Sequence, residues 1–234
     1  MTVETISSVE YGYESCVSMR DHCAIVKEGV GLCTVKAQLH VKPDCTPRFF
    51  KPRSLPFAYR QPMEADLARM VATGVLEPID TAKWAAPIVV VPKPGGKLRI
   101  CADFSVGVNQ ALDVDQYPLP KPHDLFVALN GGRQFSKLDL SEAYLQVPLD
   151  DDSKELLVIN THKGLFRFNR LPFGVASAPS IFQKIMDQML TGLDGTVCYL
   201  DDIIVTGRST HEHLTNLKHV FERIDQYGFH INQN

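Results

Sequence analysis

The 234-residue chain predicts an α+β fold in which a mixed sheet carries helices on one face and carboxylates on the other. Three observations lead there. A β-rich run closes on Asp139, a helix with a long apolar stripe follows it, and a hairpin tipped by Leu200-Asp201-Asp202 precedes another amphipathic helix. A hydrophobic content of 44% is enough for the core of one large or two small domains.

Residues 1–35 show no clear period and are expected to form a poorly ordered or edge segment. Pro43, Pro47, Pro52, Pro56 and Pro62 then hold their predecessors extended, so residues 42–62 read as a strap lying over a domain. A helix is predicted to begin at Pro62, with Glu64 and Asp66 at the positive end of its dipole. Leu67, Met70 and Val71 form its apolar stripe, and Gly74 stops it. Residues 86–91 and 98–102 are β-rich and frame Pro92-Lys93-Pro94-Gly95-Gly96-Lys97, a hairpin with a cationic tip. A short helix near 123–129 leads into a strand over 134–140. Another hairpin pairs 156–160 with 165–169 around Lys163-Gly164.

Leu171-Pro172-Phe173-Gly174 makes a turn into a helix whose stripe is Ile181, Phe182, Ile185, Met186, Met189 and Leu190, a core stripe rather than a binding box. The final helix repeats Leu214, Leu217, Phe221 and Ile224. That register leaves His211, His213 and His219 as solvated residues.

Charge is uneven despite a net value of only −3. Residues 81–102 hold Lys83, Lys93, Lys97 and Arg99 without an acid, and residues 156–186 hold Lys163, Arg167, Arg170 and Lys184, again without one. Acid gathers at Asp139, Glu142, Asp150, Asp151, Asp152 and Glu155, which Asp201 and Asp202 would join if the fold brings the segments together. Basic walls around an acidic centre suit a polyanion held against metal ions; solvated faces of mixed charge are the plainer alternative. The six cysteines include no Cys-x-x-Cys pair and read as reduced thiols. No apolar run reaches the length of a membrane span, and the first residues lack the regions of a signal peptide.

Tyr199-Leu200-Asp201-Asp202 is the most informative segment. Adjacent carboxylates repel unless a cation neutralises them, although Asp-Asp also suits ordinary turn chemistry. With Asp139 they make an oxygen-only donor set that selects Mg²⁺ or Mn²⁺ over zinc. Two such ions would support in-line phosphoryl displacement, so nucleotidyl transfer or phosphodiester hydrolysis leads among the candidate chemistries.

The runs Phe135-Ser-Lys-Leu-Asp139-Leu-Ser-Glu-Ala-Tyr144-Leu-Gln-Val-Pro148, Arg170-Leu-Pro-Phe173-Gly174-Val-Ala-Ser-Ala-Pro179-Ser-Ile-Phe182-Gln183 and Tyr199-Leu-Asp-Asp202 resemble, in matching order, the palm motifs of reverse transcriptases. Leu39-His-Val-Lys-Pro43, Gly74-Val-Leu-Glu-Pro78, Trp84-Ala-Ala-Pro87 and Val90-Val-Pro-Lys93 are similar to the fingers region of gypsy-type LTR retrotransposon polymerases. The resemblance covers about residues 30–234. It implies the fingers and palm of a right-hand polymerase, with an antiparallel palm sheet bearing helices on one face. Strap and fingers would occupy 36–133 and the palm 134–234, with fingers elements of 150–170 interleaved. Thumb, connection and RNase H segments would be absent from a chain ending at Asn234.

The resemblance further implies RNA-directed DNA polymerase activity, adding deoxynucleotides to a primer 3′-hydroxyl on an RNA or DNA template with two Mg²⁺ ions, Mn²⁺ being a possible substitute. Asp139 and Asp201 match the metal-binding aspartates, Asp202 the third, auxiliary carboxylate, and the Leu140 carbonyl a further metal ligand. Tyr144 matches the ring that blocks a 2′-hydroxyl, and a core aromatic is its plainer reading. Arg99 matches the triphosphate-binding arginine, with Lys93 as its partner and Lys97 in competition. Phe173 and Gly174 match the turn lining the nucleotide and template pocket. An intracellular protein without a membrane partner is expected, associated with a cytoplasmic particle if the chain is part of a full element.

The chain departs from the family pattern at Asp103-Phe104-Ser105-Val-Gly-Val-Asn109, where serine replaces an arginine and one extra residue enters. Asp80-Thr81-Ala82 resembles the catalytic loop of retroviral proteases, but Pro78 is expected to break the strand such a loop needs. A transposon-derived domain that binds nucleic acid without polymerising it is the alternative function.

Overall fold

The computed structural model describes residues 4–5, 29–92 and 98–231. In chain order the strands are β1 (Glu4–Thr5), β2 (His40–Val41), β3 (Leu76–Ile79), β4 (Ala86–Pro92), β5 (Leu98–Ala102), β6 (Leu112–Asp113), β7 (Gln134–Asp139), β8 (Val158–Thr161), β9 (Gly164–Phe168), β10 (Thr196–Tyr199) and β11 (Asp202–Gly207). The helices are α1 (Phe57–Ala72), α2 (Val108–Ala111), α3 (Pro122–Ala128), α4 (Asp151–Leu156), α5 (Ala178–Leu190) and α6 (Thr210–Tyr227). None of the described helices is long and apolar enough to cross a membrane. The chain forms two compact units. The first is drawn from residues up to Val35, Tyr117–Gln146 and the residues from Pro179 on; the second comprises Lys36–Gln116 and Val147–Ala178.

In the first unit the sheet runs β1-β7-β11-β10 and is antiparallel throughout. Register decides its two faces. Ile203 lies opposite Leu138 and Val205 opposite Ser136, and all four are buried, because alternate side chains of paired strands share a face. Helix α6 lies against β7 and β11, adding Leu217, Val220 and Ile224 to this core; α5 buries Phe182, Met186 and Met189, with Phe182 edge-on to Tyr144 and Phe229. The opposite face of β7 and β11 carries Lys137, Asp139 and Asp202, all part-exposed.

The register of α6 corrects one expectation. His213 is not solvated: it is 1% exposed and shares a hydrogen bond of 3.0 Å with Ser136 Oγ. It lies four residues before buried Leu217, so the inner stripe starts on His213 rather than on Leu214, which is only half-buried. His211 and His219 are exposed, as expected.

The second unit holds a sheet of order β3-β9-β8-β4-β5, in which β4 and β8 pair in parallel and the other neighbours are antiparallel. Its strap is hydrogen-bonded along the unit: Phe50 N donates to Ala85 O at 2.9 Å, and Asn160 Nδ2 donates to Phe50 O at 3.0 Å. Arg53 of the strap pairs with Asp103 at 2.5 Å.

Two further expectations are revised in this unit. Helix α1 begins at Phe57, so Pro62 lies inside it rather than at its first position. Pro56 already supplies helix-compatible φ at the N-cap, and Pro62 forfeits only the bond to Ala58 O, on an exposed face where solvent can satisfy a carbonyl. Pro78 does not break a strand: it sits within β3, an edge strand of this sheet, opposite Phe166. The acids at 150–155 open and flank α4 in this unit. Asp150 caps α4 by accepting from Ser153 N at 3.0 Å, Asp151 pairs with Lys154 at 2.6 Å, and Glu155 and Glu77 both hold Arg167. The basic stretch is partly neutralised in the same way, since Lys163 lies 3.3 Å from Glu64.

Candidate active site

The hairpin β10–β11 turns through two residues, because Tyr199 pairs with Asp202 and leaves Leu200 and Asp201 as the loop. Leu200 has φ +55° and Asp201 does not share the left-handed conformation, the pattern of a hairpin that needs positive φ at its first loop residue. Glycine is the usual occupant there, and a leucine carries strain of about 1–3 kcal/mol. Backbone and side chains over-determine it. Leu200 N donates to Gln183 Oε1 at 2.8 Å, Gln183 Nε2 donates to Cys198 O at 3.1 Å, and the Cys198 thiol donates to Leu200 O at 3.1 Å. Burial and the charges of Asp187, Asp201 and Asp202 push the Cys198 thiol far up, so it stays a neutral donor.

Asp139 ends β7 directly opposite Asp202, on the part-exposed face, and Asp201 stands exposed at the loop. Like charges directly across a ladder repel. Lys137, two residues before Asp139 and therefore on the same face, places Nζ 3.0 Å from Asp202 Oδ2. Among the described residues, no three His, Cys, Asp or Glu side chains converge as a ligating cluster. The Asp202 carboxylate is instead engaged by Lys137.

Tyr144 lies in the 3₁₀ turn Ala143–Gln146 that follows Asp139, 8% exposed, with its ring edge-on to Phe182 at 4.8 Å. Burial, then the neighbouring Asp201 and Tyr199, push its hydroxyl up to about 12. The field of Asp201 is therefore felt at this ring. Leu140 is buried beside the last described residues, its backbone bridging to Ile231. Asp139, Leu140, Tyr144, Asp201 and Asp202 thus belong to the first unit, whereas Arg99, Phe173 and Gly174 belong to the second. Arg99 lies on β5 opposite Val91. Gly174 has φ +91°, a conformation that requires glycine, and its turn is pinned by Asn109, which donates to Gly174 O at 2.8 Å and accepts from Ala176 N at 2.9 Å. Phe173 beside it is exposed. Lys93 and Lys97 lie outside the described residues.

Residues 91–234 match the family described as Reverse transcriptase (RNA-dependent DNA polymerase). The chain belongs to the reverse transcriptase family. An uncharacterized Caenorhabditis elegans protein is 45% identical over 90% of this reverse transcriptase chain and 17% of its own length. The retrovirus-related Pol polyprotein from transposon 412 of Drosophila melanogaster is 31% identical over 84% of the chain and 16% of its own length. The chain therefore spans about a sixth of the length of these curated relatives. A foamy viral protease-reverse transcriptase, solved in complex with an RNA/DNA hybrid, superposes with a TM-score of 0.86 at 20% identity, covering 95% of this chain and 31% of that one. This likeness shows a shared fold.

The motif positions of this reverse transcriptase chain offer hard oxygen donors, the chemistry that fits Mg²⁺ or Mn²⁺: two aspartates and a neighbouring backbone carbonyl, with the third carboxylate held by a lysine. Two residues inside the palm motifs, to which sequence reasoning gives no role, also shape the site. Gln183 is fully buried and grips the turn from both of its amide ends, a role legible in sequence only as a polar residue inside an apolar stripe. Lys137 has the signal of β periodicity, which places it on the face of Asp139.

Proposed function

We propose that this chain is the fingers-and-palm portion of an RNA-directed DNA polymerase from a gypsy-type LTR retrotransposon, extending a primer 3′-hydroxyl with deoxynucleotides. One observation carries the reading: a tightly held hairpin presents Asp201 beside the strand pair Asp139–Asp202 on the part-exposed face of an antiparallel sheet. The first unit serves as palm and the second as fingers.

Asp139, Asp201 and the Leu140 carbonyl would hold two divalent ions, with Asp202 auxiliary and kept in place by Lys137. When bound, the ions supply activation of the attacking oxygen and stabilisation of the leaving one. The chain's own residues do the rest. The hairpin keeps Asp201 aimed without reorganisation, Lys137 offsets the repulsion of facing carboxylates, and the Tyr144 ring, wedged against Phe182, sets how much room a sugar has. Gly174 and Phe173 shape a backbone surface for the base pair, while Arg99, with Lys93 or Lys97, binds the triphosphate. Partners are a primed RNA or DNA template and deoxynucleotide triphosphates.

Primer extension on an RNA template with Mg²⁺ tests this reading. Asp201→Asn is expected to lower the extension rate at least about a hundredfold, about 2.7 kcal/mol of transition-state stabilisation. Extension equal to that of the unaltered protein would remove Asp201 from the chemistry, and nucleic-acid binding without extension by the unaltered chain would favour a binding domain instead.

A further inference from the structure

Gln183 does not act alone. Its Nε2 donates both to Cys198 O at 3.1 Å and to Asp187 Oδ1 at 2.8 Å, one helical turn along α5, and its Oε1 accepts from Leu200 N at 2.8 Å. The orientation of the amide follows from its neighbours: turned over, its oxygen would face a carbonyl and a carboxylate, and its NH₂ would face an N–H. The other carboxylate oxygen of Asp187 accepts from the Tyr117 hydroxyl at 2.7 Å. Tyr117 lies in the segment between β6 and α3, 70 residues away from Asp187 along the chain. A continuous chain of hydrogen bonds thus runs from that segment, through α5, to the first loop residue of the carboxylate hairpin. It ends on the one residue of the hairpin whose backbone is strained, Leu200 at φ +55°. Gln183 is fully buried, so water cannot replace what it offers.

We propose that Tyr117, Asp187 and Gln183 are positioning residues that hold the left-handed turn at Leu200 and, through it, the aim of Asp201. Asp187 orients the Gln183 amide, Tyr117 orients Asp187, and the amide fixes the turn. The catalytic consequence rests on the reading of this hairpin as the polymerase centre; the conformational one does not. Loss of the relay lets the turn relax, and Asp201 then spends less time in the reactive arrangement. Substrate binding is untouched, because none of the three side chains belongs to the nucleotide-binding set.

The test pairs a structural readout with a kinetic one on the full chain. Hydrogen exchange at the Leu200 amide reports the turn directly, and primer extension gives kcat and KM for deoxynucleotide. Gln183→Leu is expected to speed Leu200 exchange more than tenfold and lower kcat about as much, with KM within twofold. Asp187→Ala should follow, and Tyr117→Phe should show a severalfold change in the same two quantities. Gln183→Glu, which can accept from Leu200 N but cannot donate to Cys198 O and faces Asp187 with a like charge, should resemble Gln183→Leu rather than the unaltered chain. Unchanged Leu200 exchange in Asp187→Ala and Tyr117→Phe would overturn the relay, as would a loss expressed in KM alone. If Gln183→Leu does not fold, Tyr117→Phe decides, since it removes a single hydroxyl. Faster Leu200 exchange with an Asp201→Asn variant that still extends primers would leave the relay standing and sink the polymerase assignment of the hairpin.

Discussion

Gly207 ends β11 where the chain turns into α6, and replacing it with alanine puts a methyl group where the helix backbone already is. An ideal Cβ there would lie 2.3 Å from His213 N, 2.6 Å from His213 Cα and 2.8 Å from His213 Cβ. Ordinary contact starts near 3.4 Å, so helix or strand must shift by about 1 Å. The atoms that must move are backbone, and they carry the start of α6. Ser209 Oγ accepts from Glu212 N at 3.2 Å, Arg208 N donates to Glu212 Oε2 at 2.9 Å, and His213 N donates to Ser209 O at 2.9 Å. Overpacking costs about 1–3 kcal/mol and a weakened cap about 1, so Gly207→Ala should destabilise by about 2–4 kcal/mol. In urea that is a midpoint lowered by about 1–2 M for a slope near 2 kcal/mol per M. Gly74→Ala is the control: its φ of +70° strains any side chain but nothing lies within 4 Å of its Cβ, so its cost should be about 1 kcal/mol. A loss for Gly207→Ala no larger than that of Gly74→Ala would refute the clash as the cause.

Two further outcomes follow from buried side chains. Burial holds the His213 imidazole below its ordinary pKa, and its Nδ1 has no hydrogen-bond partner. The unfolded chain therefore takes up a proton near pH 6.5 that the folded chain resists, so the His213 contribution is complete above about pH 6.5 and is lost as pH falls through the lower folded value. Urea midpoints measured from about pH 7 down to pH 5 should drop for the unaltered chain and drop less for His213→Asn; parallel slopes would assign the effect to other groups. Tyr144→Val should raise incorporation of ribonucleotides relative to deoxynucleotides at least about tenfold, 1.4 kcal/mol in selectivity. It should also cost about 3 kcal/mol of stability, because the ring is packed edge-on against Phe182. Unchanged sugar selectivity in steady-state competition would leave Tyr144 as a core aromatic only.

The amphipathic and β-rich segments were legible because their signals are local. The stripe from Ile181 to Leu190 is buried at every position named for it, and the segments around Asp139 and Asp202 form the strands expected. Errors came where a local signal has two meanings. A proline that suits a helix start also survives in a second turn when the forfeited carbonyl is exposed, and an aspartate that adds to local negative charge, Asp150, also caps a helix. His213 has no apolar side chain to mark it, so nothing short of its helix register against Ser136, 77 residues away, could place it inside.

Residue types, their order and their spacing determine which strands and helices form and which carboxylates are available to the site, since hydrogen bonding within a helix and alternation along a strand act over a few residues. Tertiary structure alone decided that Asp202 faces Asp139 and is held by Lys137, that Gln183 grips both sides of the Leu200 turn, and that Glu77 and Glu155 share Arg167. Those facts depend on register between distant segments, where a slip of one residue would send every side chain of a strand to the other face.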